Sequence, residues 1–126
     1  MQYKRILLID DDEDDQEIFQ LALSEVCRDI QCKVMSSAQE ALRHLEENQT
    51  STELIFLDLN MPIMSGQQFL SELLKRKELS RIPVIILSTS SDRNTITNAE
   101  SLGASKFFTK PSDIRELKKI LQDILT

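Results

Sequence analysis

The chain has few of the residues that give small proteins special chemistry or covalent rigidity. Its 126 residues include no tryptophan, one histidine, two glycines and two cysteines. Cys27 and Cys32 do not have the spacing of a CxxC motif or of a metal site, so we expect two reduced, partly buried thiols. His44 stands among charged residues and is expected on a solvated helix position, without a catalytic role.

Long apolar runs and excess positive charge are also absent. No stretch approaches the roughly 18–20 apolar residues of a membrane span. The net charge of −6 argues against nucleic acid or an acidic membrane as a partner. The N-terminal segment lacks the small-residue cleavage site of a secretory signal. These absences predict a cytoplasmic protein, and the length predicts one domain over residues 1–126.

The chain does contain a regular alternation of apolar runs and helical patterns. Strands are predicted at residues 4–9, 31–35, 54–57, 84–87 and 106–109. The first, third and fourth are continuous apolar runs, typical of parallel strands that are covered on both faces. The second and fifth are more mixed and are expected nearer the sheet edges. The alternation predicts an α/β fold with a five-stranded parallel sheet and five helices on both faces.

The helices are predicted at about residues 14–27, 37–45, 66–77, 93–102 and 113–125. Capping-box spacing marks the starts at Ser37 and Asp113, each with glutamate three residues on. The fourth helix is rich in threonine and asparagine and is expected to be the least firmly held. Apolar stripes on the first and third helices should face the core; they are Ile18, Phe19, Ala22 and Val26, and Phe69, Leu70, Leu73 and Leu74.

Six consecutive acids, residues 10–15, follow the first strand, and Asp58 follows the third. Carboxylates this close repel one another unless a cation lies among them. The carboxyl ends of parallel strands meet at one edge of a sheet, where Ser88 and Lys110 are also expected. Mg²⁺ prefers carboxylate oxygens, and a carboxylate can attack phosphorus. We therefore assign Asp10 and Asp11 to a metal site with Asp58, and residues 12–15 mainly to a solvated helix start favoured by the helix dipole.

Four segments carry a family resemblance: residues 6–11, 57–66, 83–88 and 103–111. They span the chain in order and at the family's usual separations. On them the chain resembles a receiver domain of a two-component response regulator, of the stand-alone type without an output domain. The combined match is highly specific, although any single segment would be weak. The resemblance implies the flavodoxin-like receiver fold.

The resemblance also implies a role for each residue of the site. Asp58 would be the phosphoacceptor for a histidine kinase or a histidine phosphotransfer protein. Asp10, Asp11 and Asp58 would hold Mg²⁺ together with the backbone carbonyl of Asn60. Lys110 would neutralise charge on the phosphoryl group, and the family's bond between this lysine and the following proline is typically cis.

Two further residues would form the switch. Ser88 would turn towards the phosphoryl group, and Phe107 would fill the space that it leaves. The surface of helix four, strand five and helix five would then bind a downstream protein, or the chain would pass phosphate on in a phosphorelay. A phosphorylation-dependent dimer is compatible with this reading. The chain would be a signalling protein, with self-catalysed phosphoryl transfer and dephosphorylation only.

Departures from the family pattern leave alternatives open. Ser65 and Thr89 stand where aspartate and a small residue are usual, and Asn60 and Ser90 occupy the positions that tune dephosphorylation. An aspartate-nucleophile phosphohydrolase would need a second aspartate where Asn60 stands. A phosphate-independent binding module on the same scaffold is the other alternative. Flavin binding is disfavoured because no phosphate-binding loop rich in serine, threonine and glycine follows the first strand.

Overall fold

Three apolar strands form the buried middle of the sheet. The computed structural model describes residues 3–48, 51–90 and 92–126. The sheet order is β2-β1-β3-β4-β5, with every pair parallel. Its strands are β1 (Arg5–Ile9), β2 (Gln31–Met35), β3 (Leu54–Leu57), β4 (Val84–Ser88) and β5 (Lys106–Thr109). The predicted α/β fold is confirmed, and so is the edge position of the two mixed strands.

Helices cover both faces of this sheet. They are α1 (Glu13–Val26), α2 (Ala38–Glu47), α3 (Gly66–Leu74), α4 (Arg93–Ser101) and α5 (Ile114–Leu125). The side chains of α1 and α5 pack on one face, and those of α2, α3 and α4 pack on the other. Among the described residues, no helix is both long enough and apolar enough to cross a bilayer.

Each helix begins with a side chain that accepts a backbone N–H, which satisfies one of the unpaired donors of the first turn. The capping residues are Asp12, Ser37, Ser65, Asp92 and Asp113. The reciprocal capping box forms between Ser65 and Gln68. At Ser37, where the sequence predicted a capping box, the structure shows the forward hydrogen bond from the Glu40 N–H. At Asp113 the side chain accepts the N–H of Arg115, not that of Glu116 as a capping box would require.

The side chains of β3 alternate between two apolar cores. Ile55 and Leu57 pack with α2, α3 and α4, whereas Leu54 and Phe56 pack with α1 and α5. The ring of Phe56 meets Phe19 of α1 edge to face, with 5.0 Å between the ring centroids. Burial on both faces explains why β3 is a continuous apolar run.

Two residues of the predicted stripes lie largely outside the core. Ile18 is 44% exposed and Leu74 is 47% exposed. On α1, Leu23 is buried instead, because the inward face is centred on Phe19 and Ala22. Helix α3 ends earlier than predicted, since the N–H groups of residues 75 and 76 bond three residues back and tighten the chain into a turn.

Both cysteines are half-buried and unpaired. Burial raises the pKa of the Cys32 thiol to about 12, so almost no thiolate forms there at neutral pH. This agrees with the prediction of two reduced thiols. Helix α4 has one fully buried residue, Ala99, and its low stability stays a prediction.

Gly66 begins α3 where this helix touches the chain beyond β3. A Cβ added to Gly66 would lie 2.6 Å from Leu59 Cα and 2.8 Å from the carbonyl oxygen of Asp58. The Gly66 N–H also donates to the Leu59 carbonyl at 3.0 Å. The backbone would have to move to admit any side chain, so glycine is required by close approach.

We expect Gly66→Ala to lower the free energy of unfolding by about 2–3 kcal/mol, the upper range of overpacking. Urea unfolding followed by circular dichroism measures this change. Gln67→Ala, at the next position of α3, is the matched control and should stay within about 0.5 kcal/mol of wild type. Equal effects of the two substitutions would contradict the close approach at Gly66.

Ile63, in the loop after β3, is the one non-glycine residue in the described part of the chain with a positive φ, at 69°. Its side chain is 87% exposed, so no packing compensates for this conformation. A β-branched residue is strained in the left-handed region. We infer that the loop holds local strain at this position.

We expect Ile63→Gly to raise the free energy of unfolding by about 0.5–1 kcal/mol. Relief of roughly 1–2 kcal/mol of backbone strain should exceed the added entropy of glycine in the unfolded chain. Ile63→Ala removes the same apolar surface but keeps the Cβ, and serves as control in the same urea titration. Stabilisation by alanine as large as that by glycine would show that strain is not the cause.

Candidate functional site

The carboxyl ends of four strands meet at one edge of the sheet. Asp10 follows β1, Asp58 follows β3, Ser88 is the last residue of β4 and Lys110 follows β5. The sheet ladder continues past the strand ends: the Asp58 N–H donates to the Ile9 carbonyl at 3.0 Å, and the Lys110 N–H donates to the Ser88 carbonyl at 2.8 Å. These backbone bonds fix the direction in which the side chains leave the sheet.

Three carboxylates converge at this edge. Asp10, Asp11 and Asp58 each offer an oxygen, and these oxygens all lie within 4.8 Å of one another. Asp10 and Asp58 are only 3% and 5% exposed, whereas Asp11 is open to solvent. Three hard oxygen donors with one open side suit a divalent cation that keeps several waters. The arrangement brings together the three aspartates that the sequence assigned to a metal.

One oxygen of each buried carboxylate is held by backbone. Asp10 Oδ1 accepts the Asp12 N–H at 3.0 Å, and Asp58 Oδ1 accepts the Asn60 N–H at 3.2 Å. The other oxygen, Oδ2, of each carboxylate faces Lys110. Each carboxylate is therefore oriented before any ligand binds.

Burial raises the pKa of both Asp10 and Asp58 above the ordinary value, and the negative charges around them add to this. Lys110 acts in the opposite direction but does not cancel the effect of burial. Burial by itself would lower the pKa of Lys110, yet its hydrogen bonds to Asp15 and Asp10 outweigh this and raise it. Lys110 is thus a permanent cation in the site.

The Lys110 ammonium contacts three carboxylates. Its Nζ lies 2.6 Å from Asp15 Oδ2, 2.9 Å from Asp10 Oδ2 and 3.6 Å from Asp58 Oδ2. The lysine side chain is only 15% exposed. Acids around Lys110 were expected from the sequence, but the shortest contact is with a residue that was placed in the solvated helix start.

Asp15 corrects that expectation. It is half-buried in the first turn of α1, three and four residues before Ile18 and Phe19 and seven before Ala22. Residues at this spacing share one helix face, and the face of Phe19 and Ala22 is turned to the core. The sequence could have predicted this position, because the helical repeat places Asp15 on the same inward face as Phe19 and Ala22. Asp12 caps the helix, and Asp14 is exposed as expected.

The proposed switch residues lie on β4 and β5. Ser88 is fully buried, and its Oγ accepts the Ser90 N–H at 3.2 Å. Phe107 pairs with Ile86 across the β4–β5 ladder and is half-buried against the core beneath α2, α3 and α4. Among the described residues, no hydrogen bond joins Ser88 to Asp58.

Asn60 forms a bridge that the sequence did not predict. Its Nδ2 donates to Thr89 Oγ1 at 3.2 Å and to Ser90 Oγ at 3.3 Å, joining the loop after β3 to the loop after β4. Asn60 and Ser90, the two positions that the resemblance connects with dephosphorylation, are therefore in contact with each other, and Asn60 also contacts Thr89, which departs from the family pattern. The peptide bond before Pro111 is trans, as are all others in the described ranges, in contrast to the cis bond typical of the family.

The amino-acid sequence matches known proteins along nearly its whole length. The profile of the response regulator receiver domain matches residues 6–122. Response regulator Rcp1 of Synechocystis sp. (strain ATCC 27184 / PCC 6803 / Kazusa) is 30% identical over 126 residues, covering 96% of this chain and 86% of that protein. The two-component response regulator ARR10 of Arabidopsis thaliana is 34% identical, and there the match covers 96% of this chain but 21% of that longer protein.

Solved structures give the same result. The Mn²⁺-bound form of response regulator Rcp1 superposes with a TM-score of 0.85 at 30% identity, covering 96% of this chain and 91% of that one. The phosphorylated cyanobacterial phytochrome response regulator RcpA gives 0.87 at 30% identity, with 97% and 91% covered. With the profile match and the arrangement of the strand-end residues, these similarities show that the chain belongs to the response regulator receiver domain family.

Proposed function

We propose that the chain acts as a response regulator receiver that accepts a phosphoryl group on Asp58 in a Mg²⁺-dependent reaction. The observation that carries this proposal is the convergence of Asp10, Asp11 and Asp58 with Lys110 at one sheet edge. Two similar proteins support it, since Rcp1 is described with bound Mn²⁺ and RcpA in phosphorylated form. The phosphodonor would be a histidine kinase or a histidine phosphotransfer protein.

In the transfer step, a carboxylate oxygen of Asp58 attacks phosphorus. The new P–O bond forms as the P–N bond to the donor histidine breaks, and the electron pair leaves with the imidazole nitrogen. Asp10, Asp11 and Asp58, with the backbone carbonyl of Asn60, would hold Mg²⁺, which supplies positive charge to the transferred group when bound. Lys110, 3.6 Å from Asp58 Oδ2, would add a second positive charge beside the phosphoacceptor.

Phosphorylation would then act through charge. A phosphoryl group carries up to about two negative charges and three acceptor oxygens. Ser88 would give up its contact with Ser90 and donate to the phosphoryl group, and Phe107 would move into the vacated space. Helix α4 is anchored by a single fully buried residue, so it is the element best able to repack. Couplings of this kind are typically worth about 1–3 kcal/mol.

The output would be a changed surface formed by α4, β5 and α5. It would bind a downstream protein, support a phosphorylation-dependent dimer, or present the phosphoryl group to the next carrier of a phosphorelay. The chain would act in the cytoplasm, insert into no membrane and bind no nucleic acid. Its chemistry would be limited to its own phosphorylation and dephosphorylation.

The first test is phosphorylation by acetyl phosphate with Mg²⁺. Wild type should gain one phosphoryl group by mass spectrometry, and Asp58→Ala should gain none because the attacking oxygen is gone. Asp29→Ala, which removes an exposed acid from the loop before β2, is the control and should behave as wild type.

Other results of this experiment would contradict the proposal or favour a different function. Equal labelling of wild type and Asp58→Ala would refute the assignment of the phosphoacceptor. No labelling of wild type and no Mg²⁺ binding would favour the phosphate-independent binding module. Continuous hydrolysis of a generic phosphomonoester would instead support the phosphohydrolase alternative. That outcome is not expected, because Asn60 has an amide where such an enzyme needs an acid.

The carboxylates of the site should also make stability depend on pH. A carboxyl whose folded-state pKa lies above its unfolded value binds its proton more tightly in the folded protein. Asp10 and Asp58 are raised in this way, chiefly by burial. Below the ordinary aspartate pKa, both carboxyls are protonated in the folded and the unfolded chain and do not change the free energy of unfolding. As the pH rises through their raised folded-state pKa values, they lower the free energy of unfolding.

We expect Asp58→Asn to raise Tm at pH 7 in EDTA by about 3–6 °C, the shift typical of roughly 1 kcal/mol in a domain of this size. The gain should shrink towards zero at about pH 4 and below, where the wild-type carboxyl is protonated. Mg²⁺ should raise the Tm of wild type more than that of the variant. Asp29→Asn serves as the exposed control; a lower Tm for Asp58→Asn at pH 7 would mean that attraction to Lys110 outweighs burial.

A further inference from the structure

We propose that Asp15 is a positioning residue: its carboxylate competes with Asp58 and the incoming phosphoryl group for the Lys110 ammonium, and so weakens binding of the phosphodonor. The inference rests on the proposed role of Asp58 as phosphoacceptor. It adds an acidic residue of α1 that acts on the site through Lys110, without touching the reacting atoms.

The distances show where Lys110 is held. Its Nζ donates to Asp15 Oδ2 at 2.6 Å and lies 2.9 Å from Asp10 Oδ2. The distance to Asp58 Oδ2, 3.6 Å, is too long for a hydrogen bond. The ammonium has three N–H donors, and its two shortest contacts go to residues other than the phosphoacceptor.

Asp15 is fixed in place by the start of α1. Its own N–H donates to the capping carboxylate of Asp12 at 3.1 Å, which holds the first turn. Phe19 and Ala22, on the same helix face, are buried beneath α1 and set the rotation of the helix. The Asp15 side chain is 35% exposed, which is less than a fully solvated acid and more than Asp10 and Asp58. Its contact with Lys110 joins α1 to the segment after β5.

Charge gives this contact its effect. Asp10, Asp15 and Asp58 contact one ammonium, and Asp11 lies beside Asp10 and Asp58. Four carboxylates and one ammonium leave a formal excess of three negative charges at the site. A phosphodonor brings further negative charge into the same space. Part of the positive field of Lys110 is already neutralised by Asp15, and in a partly buried site that loss is larger than between exposed side chains.

Removal of this competitor should act on binding of the donor more than on the chemical step. With acetyl phosphate, the phosphoryl group passes to Asp58, and acetate leaves with the electrons of the broken P–O bond. Freed from Asp15, Lys110 would attract the bound donor and the transition state about equally. An interaction that is equal in both lowers KM and leaves the maximal rate nearly unchanged.

The experiment compares Asp15→Asn with Asp14→Asn at saturating Mg²⁺ and varied acetyl phosphate. Both substitutions remove one negative charge from the first turn of α1, but Asp14 is exposed and has no ion pair with Lys110. We expect Asp15→Asn to lower KM by about threefold to tenfold, with a maximal rate within about twofold of wild type. Asp14→Asn should stay close to wild type.

A second measurement needs neither donor nor metal. The ¹⁵N signal of the Lys110 ammonium should shift in Asp15→Asn and stay in place in Asp14→Asn, because Asp15, unlike Asp14, is hydrogen-bonded to it. An unchanged signal, an unchanged or higher KM in Asp15→Asn, or equal KM effects of the two variants would each overturn the inference. Failure of wild type to take up phosphate would instead overturn the proposed function, and the ammonium signal would still decide whether Asp15 holds Lys110.

Discussion

The ammonium of Lys110 lies among carboxylates from α1 and from the residues that follow β1 and β3, and the rest of the site depends on it. Without this cation, Asp10 and Asp58 would lie almost fully buried and side by side with no opposing charge. Such an arrangement is costly in a protein interior. Lys110 permits the two acids to lie close to each other, and the backbone N–H groups that bind their other oxygens keep them from turning away.

The parallel sheet supplies the directions that this cluster requires. Side chains that follow β1, β3 and β5 project from the same edge because the strands run the same way, and the central strands are apolar because helices cover both faces. The apolar cores and the polar edge are therefore two results of one topology. Burial of apolar side chains in the two cores stabilises the fold and offsets the repulsion between the carboxylates at the polar edge.

Element order was enough to predict the sheet and the meeting of Asp10, Asp58 and Lys110, because the rule for strand ends needs no side-chain detail. The pairing of Asp15 with Lys110 needed more. One residue turns a helix face by about 100°, so the facing of Asp15, and equally of Ile18 and Leu74, depends on how each helix is rotated on the sheet. The Asn60 bridge depends on two loop conformations, which local sequence signals do not specify.

The contact of Gly66 with the segment after β3 has a mechanical consequence. The start of α3 packs against the Asp58 carbonyl so closely that even a Cβ atom would not fit between them. On this side of the site, the backbone at Asp58 therefore has no free space to move into. On the opposite side, α4 is held mainly by Ala99, and β5 is an edge strand with half-exposed side chains. The surroundings of the site are thus packed unequally, with closer contacts beside α3 than beside α4 and β5.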